Sequence, residues 1–457
     1  MTRRCRERGR QLARVCVISL GCPKNLVDAE GACGEIAASG HELVGDPSEA
    51  DVVIINTCAF IESAREESVE VIESAVAQKE IGRCRAVIVS GCLAQRYGVA
   101  LAEAEPAIDG IVGIHHAGII SDAVESALAG NRVCVGFERG PSWVEHSRRL
   151  RCTPPWTAYL KISDGCDNRC SYCAIPDIRG SYISRPPDLI IGEAERLANE
   201  GVKELVLVGQ DVTQYGADLE CGTTLVDLLE KLSRIESLRW IRLMYCYPTK
   251  ISRDLITFVS QNEKIVKYID VPFQHADDRI LRAMNRQGTQ ADYLRLVDEI
   301  REWCPDIALR TSFITGFPGE TEEAFESLLE FVERIRFDRV GVFEYSPEEG
   351  TPAYRMKPRV PARVARKRRE TLMRLQQEIS LERNRSLVGK RLTVLVEQVS
   401  DDGFVGRSYR DAPEIDGTVC VEGGRAEPGE FVEVEIVEAF EYDLRGVPCA
   451  VAAESNT

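Results

Sequence analysis

Three short apolar runs in the first hundred residues each end in a cysteine, and their spacing constrains the fold more than any other feature. They occupy residues 15–22 (VCVISLGC), 51–58 (DVVIINTC) and 86–92 (AVIVSGC). Continuous β-branched runs of this length suit strands buried on both faces of a parallel sheet. The cysteines lie 36 and 34 residues apart, which is the size of a strand–helix–strand unit, so successive strands run parallel with their C-terminal ends on one edge. Between the second and third runs, residues 62–79 place Ala64, Ser68, Val71, Ile72, Ala75 and Val76 on one face at helical spacing. The shared edge is where open α/β sheets bind ligands. Cys22, Cys58 and Cys92 are therefore expected to converge as a three-thiolate site. The bland alternative is three buried cysteines that each close a strand as small hydrophobes.

A second set of thiols is compact in sequence. Residues 161–176 read KISDGCDNRCSYCAIP, and the Cys-x3-Cys-x2-Cys spacing of Cys166, Cys170 and Cys173 supplies three soft ligands from one loop. Three thiolates hold three irons of a 4Fe-4S cluster and leave the fourth iron without a protein ligand. Structural zinc normally draws four ligands from two separated Cys-x2-Cys halves, which this loop does not contain.

Length and charge bound the rest. At 457 residues the chain is too long for one ordinary domain and suggests two or three. Its 17 cysteines come without a signal peptide, which argues for reducing cytosol and metal-binding thiols rather than a disulfide framework. The basic stretch 2–14 lacks an apolar core segment, so it reads as neither secretory nor membrane-spanning. A cytoplasmic location follows as the expectation. Fifty-seven basic against 73 acidic residues give a net charge of −16, unfavourable for a whole-surface grip on nucleic acid.

A Pro/Arg-rich stretch at 140–155 marks a linker. Beyond it, strand-like segments alternate with helical ones six times, at 158–163, 204–209, 240–245, 268–271, 308–314 and 339–343, the rhythm of a complete or partial parallel α/β barrel. Functional residues of such a barrel gather at the C-terminal ends of its strands. Gln210, Asp211, Asp270, Gln274, His275 and Arg310 occupy those positions and are candidates to hold a bound cofactor by hydrogen bonds, although a strand cap or loop role is an equal reading of each. Residues 361–385 form a basic helical pattern whose favoured reading is a solvated face packing through Val364, Leu372, Leu375 and Ile379. Short alternating runs at 391–396 and 431–437 then argue for a small antiparallel barrel. Residues 386–457 hold six basic and fifteen acidic residues, a net of −9. Such a surface repels phosphates and attracts a Lys/Arg-rich protein.

The expected fold is thus α/β: an N-terminal parallel α/β domain at 14–140, a partial α/β barrel at 152–385, and a small antiparallel β-barrel at 386–457. Both cysteine sets, with the segments SLGCPKNLVD (19–28), INTCAFIE (55–62), GCDNRCSYCAIPDIRG (165–180) and GRSYRDAPEIDG (406–417), resemble the radical S-adenosylmethionine (SAM) methylthiotransferases over essentially the whole chain from Val15. The resemblance implies a radical SAM core, a TRAM-like tail, and two 4Fe-4S clusters, on Cys22, Cys58 and Cys92 and on Cys166, Cys170 and Cys173. It implies two SAM molecules per turnover. One methylates a sulfur carried at the N-terminal set; the other is cleaved at the open iron to a 5′-deoxyadenosyl radical, which takes hydrogen from the acceptor carbon. The last segment resembles the branch of the family that methylthiolates the β-carbon of an aspartate in the basic ribosomal protein S twelve, free or within the small ribosomal subunit. A flavodoxin or ferredoxin-like protein is the implied electron donor, and no membrane is involved. The tRNA-adenosine methylthiotransferases share both cysteine sets, but the acidic tail and Asp177, where they usually carry an aromatic residue, oppose that reading. A non-catalytic iron–sulfur electron carrier would account for two clusters but not for a barrel with a substrate-sized mouth.

Overall fold

The computed structural model describes residues 12–114, 118–137 and 149–449. The basic N-terminal stretch up to residue 11, residues 140–148 of the expected linker and residues 450–457 of the tail lie outside the described residues.

Alternating apolar residues in the first runs build the first sheet. Strands β1 (Arg14–Ser19), β2 (Glu42–Leu43), β3 (Val52–Thr57), β4 (Ala86–Gly91), β5 (Gly110–Val112) and β6 (Val133–Val135) lie in the order β2-β1-β3-β4-β5-β6, every pair parallel. Strands β3 and β4 are buried at every position because helices cover both faces of the sheet. Val52 and Ile54 pack with Ala32, Ile36 and Val124 on one side. Val53 and Ile55 pack with Ile72, Ala75 and Leu93 on the other. The period of two in side-chain direction thus assigns each residue of one continuous apolar run to a face.

The central region is a second parallel sheet. After β7 (Thr157–Lys161) comes a small antiparallel ribbon of β8 (Ser163–Asp164) and β9 (Ile183–Ser184), then β10 (Glu204–Val208), β11 (Trp240–Leu243), β12 (Ile265–Asp270), β13 (Ala308–Thr315) and β14 (Arg339–Glu344). These six larger strands run β14-β13-β12-β11-β10-β7, all parallel, and do not close on one another, so the barrel is partial. The helix Ala362–Arg385 covers the β14 side, burying Leu372 and Ile379 in the core. Its basic residues divide by face: Arg368 is buried and reaches Glu320 at 3.0 Å, and Arg383 reaches Asp338 at 3.0 Å.

The tail is a closed barrel of β15 (Arg391–Ser400), β16 (Gly403–Ser408), β17 (Val419–Glu422), β18 (Phe431–Ala439) and β19 (Leu444–Pro448) in the order β15-β16-β17-β19-β18. The expectation of a wholly antiparallel barrel needs one correction. Strands β17 and β19 pair in parallel, because β18, which lies between them in the chain, closes the barrel against β15 instead. This barrel seats on the inner face of the partial barrel, where Leu395 and Ala412 pack with Val206, Met244 and Tyr268 and Phe431 meets Trp240 edge-on at 4.8 Å. Among the described residues no helix is long and apolar enough to cross a membrane.

Candidate active site

Strand register brings the first three cysteines to one edge. Ser19 pairs with Asn56 and Asn56 with Ser90, so Cys22, Cys58 and Cys92 follow three adjacent strands at the same level. Cys22 caps the helix Pro23–Ala38, and Cys92 opens the helix Cys92–Ala104. Gly21, at φ +89°, lets the Cys22 loop pass over Cys58; a Cβ there would stand 2.6 Å from the Cys58 Cβ, closer than any side chain tolerates. Asn25 ties the three loops together. Its Nδ2 donates to the carbonyls of Leu20 (3.0 Å) and Thr57 (2.9 Å), and its Oδ1 accepts from Cys92 Sγ at 3.5 Å.

The thiols feel one another. Burial raises the Cys58 pKa and the neighbouring Cys22 adds to it. Burial pushes Cys92 up to about 12, with Cys22 and Cys58 acting in the same direction and Arg179 against them. Cys22 goes the other way. Its burial is outweighed by Lys24, Arg179 and the backbone N–H groups of Lys24 and Asn25 at the helix start, which together lower its pKa.

Cys166, Cys170 and Cys173 lie in the loop that follows β8, at the C-terminal edge of the second sheet. Backbone bonds hold it: Cys166 N to Gly180 O at 3.2 Å, Ser171 N to Met284 O at 2.9 Å and Ala353 N to Ser171 O at 2.8 Å. Burial pushes Cys166 up to about 11 and Cys173 higher still, with Cys170 raising both. Arg286 stands beside the loop with Nη1 at 3.8 Å from Cys170 Sγ and its guanidinium 4.3 Å from the Tyr247 ring centroid. Among the described residues no three His, Cys, Asp or Glu side chains converge tightly enough to share one metal ion. Each set offers three soft, disulfide-free thiols, the donor type that iron–sulfur clusters take.

The two edges face each other. Lys24, two residues after Cys22, places Nζ 3.5 Å from the ring centroid of Tyr245 at the end of β11. Arg96 of the first domain donates to Glu348 beyond β14 at 2.9 Å, and Arg65 binds the same carboxylate. Between the cysteine sets Arg179 donates to Asp164, Asn25 and Asp28, and Lys161 bridges Asp28 and Asp164.

The six candidate cofactor-binding residues divide. Gln210 follows β10, and both amide atoms are buried without a hydrogen-bond partner; those atoms are ready for a ligand. Asp211 beside it accepts from Asn168 and Lys250, each at 2.8 Å, and from Thr213 at 2.5 Å. Gln274 holds φ +72° while its backbone joins Phe313 in an isolated bridge. The other three are committed to the scaffold. Asp270 accepts from Arg310 at 2.9 Å and from the Tyr245 N–H at 3.0 Å, and Arg310 also reaches Asp416 of the tail barrel at 3.4 Å. His275 is fully buried, with Nδ1 accepting from the Asp277 N–H at 3.0 Å and Nε2 facing Glu320 at 3.3 Å. Strand-end position alone selects residues at this edge but not the direction in which their side chains point. Asn25, Asp28, Arg179 and Arg286 were missed as site residues. The first three sit inside motifs read for their cysteines, and Arg286 carries no local signal.

Residues 14–113 match the uncharacterized protein family UPF0004, residues 160–332 the Radical SAM superfamily and residues 388–448 the TRAM domain. The chain is 49% identical to the ribosomal protein uS12 methylthiotransferase RimO of Pelotomaculum thermopropionicum, over 95% of this chain and 98% of that one. It is 48% identical to the RimO protein of Desulforamulus reducens over 94% and 98%, and 45% identical to that of Desulfitobacterium hafniense over 95% and 98%. Among solved structures, the radical SAM methyltransferase TsrM from Kitasatospora setae superimposes with a TM-score of 0.53 at 15% identity, covering 85% of this chain and 79% of that one. That likeness establishes the fold. With near-half identity along almost the entire length and all three matched regions in their order, the chain belongs to the RimO family of ribosomal protein uS12 methylthiotransferases.

Proposed function

We propose that this protein inserts a methylthio group at the β-carbon of an aspartate in ribosomal protein uS12, using SAM and two 4Fe-4S clusters. Cys22, Cys58 and Cys92 would hold one cluster, and Cys166, Cys170 and Cys173 the other. When bound, these cofactors supply the sulfur to be transferred and the electron that cleaves SAM. The observation that carries the reading is the meeting of the two cysteine edges, joined by the Arg179 knot and the Lys24–Tyr245 contact.

The chain's own residues supply position. Gln210 offers an unpartnered amide, and Asp211 a carboxylate oriented by Lys250 and Asn168, to SAM. Arg286 places a cation against Cys170. Arg65 and Arg96, converging on the buried Glu348, tie the first sheet to the segment beyond β14. Residues 14–140, 152–385 and 386–457 act as the sulfur-holding, radical-generating and substrate-docking units, the last through its acidic surface. The relatives' printed names support a protein substrate over tRNA. The reaction draws electrons from a flavodoxin or ferredoxin-like donor in the cytoplasm.

Replacing Cys58 with Ala tests the assignment. Anaerobically reconstituted protein should fall from about eight to about four irons per chain, keep SAM-dependent 5′-deoxyadenosine formation, and lose methylthiolation of uS12 by mass spectrometry. Methylthiolation surviving in that variant refutes it.

A further inference from the structure

Arg179, Lys161 and Asp28 lie buried between the cysteine sets with the half-buried Asp164 beside them, and Arg179 contacts the N-terminal set directly. Arg179 comes six residues after Cys173, yet it faces the N-terminal set. Its Nη1 donates to both oxygens of Asp164, at 3.1 and 3.0 Å, on the side of Cys166. Its Nη2 donates to Asn25 Oδ1 at 2.8 Å and Asp28 Oδ2 at 2.9 Å, on the helix that Cys22 caps, and stands 3.8 Å from Cys92 Sγ. The side chain is 1% exposed. Lys161 completes the group by pairing with both carboxylates, so two cations balance two anions without counting a thiolate.

We infer that Arg179 is a positioning residue that locks the two cysteine sites into one frame and tunes the reduction potential of the iron–sulfur group held by Cys22, Cys58 and Cys92. The inference rests on the two-cluster reading. Potentials of such groups follow local charge, hydrogen bonds to the cysteine sulfurs and solvent access. A buried cation against Cys92 stabilises the reduced, more negative state and therefore raises the potential, with little screening in a low-dielectric site. Only a planar guanidinium reaches this many acceptors on two domains at once; an ammonium is a point donor. Asp164 acts with the opposite sign, because it neutralises the same guanidinium from the far side.

The test uses the full-length chain with Cys166, Cys170 and Cys173 replaced by Ala, so that only the N-terminal set can load, and reads the midpoint potential by potentiometry followed with electron paramagnetic resonance. Arg179→Gln should shift the midpoint to a more negative value, and Asp164→Asn to a more positive one. General loosening of the site does not produce opposite signs. An unchanged midpoint in Arg179→Gln, or shifts of the same sign in both variants, overturns the inference. If Arg179→Gln does not load iron, Asp164→Asn decides alone: an upward shift supports the inference and its absence defeats it. A parent that holds no cluster would instead refute the two-cluster reading.

Discussion

Glu204 shows how a single buried carboxylate is made useful. It is fully buried at the start of β10, where Arg242 reaches it at 3.0 Å from the neighbouring strand and Arg407 at 2.7 Å from the tail barrel. Burial alone would raise its pKa, but Arg407 and Arg242 prevail and hold it at about 2. A depressed carboxylate contributes stability that is complete above its unfolded pKa of about 4.3 and is lost as pH falls through the folded value. Glu204→Gln leaves the buried Arg242 without its counter-charge and Arg407 with Glu397 alone, and is expected to cost about 3–5 kcal/mol at neutral pH, read by urea denaturation. The gap between variant and parent should narrow between roughly pH 4 and pH 2. Gln210 gives the contrary case. Its amide makes no hydrogen bond, so Gln210→Ala should leave the unfolding midpoint in place while weakening SAM binding by about 1 kcal/mol, roughly fivefold, as equilibrium dialysis would show. The two cysteine sets were legible because three thiols in one loop, or three at equal strand ends, form a pattern. The partner of His275 was not legible, because a histidine at a strand end looks the same in sequence whether it faces a ligand or Glu320.

At the scale of elements, the helix Ala362–Arg385 depends on one close approach. Gly316, after β13, has φ +79° and lies against Ala365, whose Cβ occupies the place a side chain at 316 would need; Thr315 Oγ1 donates to the Ala365 carbonyl at 3.1 Å. Gly316→Ala is expected to cost about 1–3 kcal/mol through strain and overpacking, lowering the thermal midpoint. Ala365→Gly in the same chain should recover part of the loss, because it removes the clash but not the strained φ. The helical period over residues 361–385 identified Leu372 and Ile379 as inward-facing, and both are buried. It also assigned the arginines to solvent, which holds for Arg363 and Arg366 but not for Arg368, drawn inside by Glu320. Period reports a face; it does not report what waits on the other side.

Across the whole molecule, ion pairs with at least one buried partner join the parts. Glu348 binds Arg65 and Arg96, Arg149 bridges Glu30 and Glu193, and Asp338 takes Arg383 from the long helix and Arg410 from the tail barrel. Screening reaches such pairs poorly, so the melting temperature should change little between low and moderate salt. Glu348→Gln should speed amide exchange around residues 59–62 and 346–349 without affecting the tail barrel, and should lower methylthiolation more than SAM cleavage; equal losses of both activities would contradict a role confined to the junction. The parallel sheets, their shared C-terminal edges and the thiols upon them were decided by the sequence alone, because strand period and cysteine spacing are local and repeat. Pairings such as Arg407 with Glu204, 203 residues apart, or Arg65 with Glu348, 283 apart, were decided only by tertiary structure. An isolated charge carries no period and no address, and its partner is whichever opposite charge the packed sheets bring within reach.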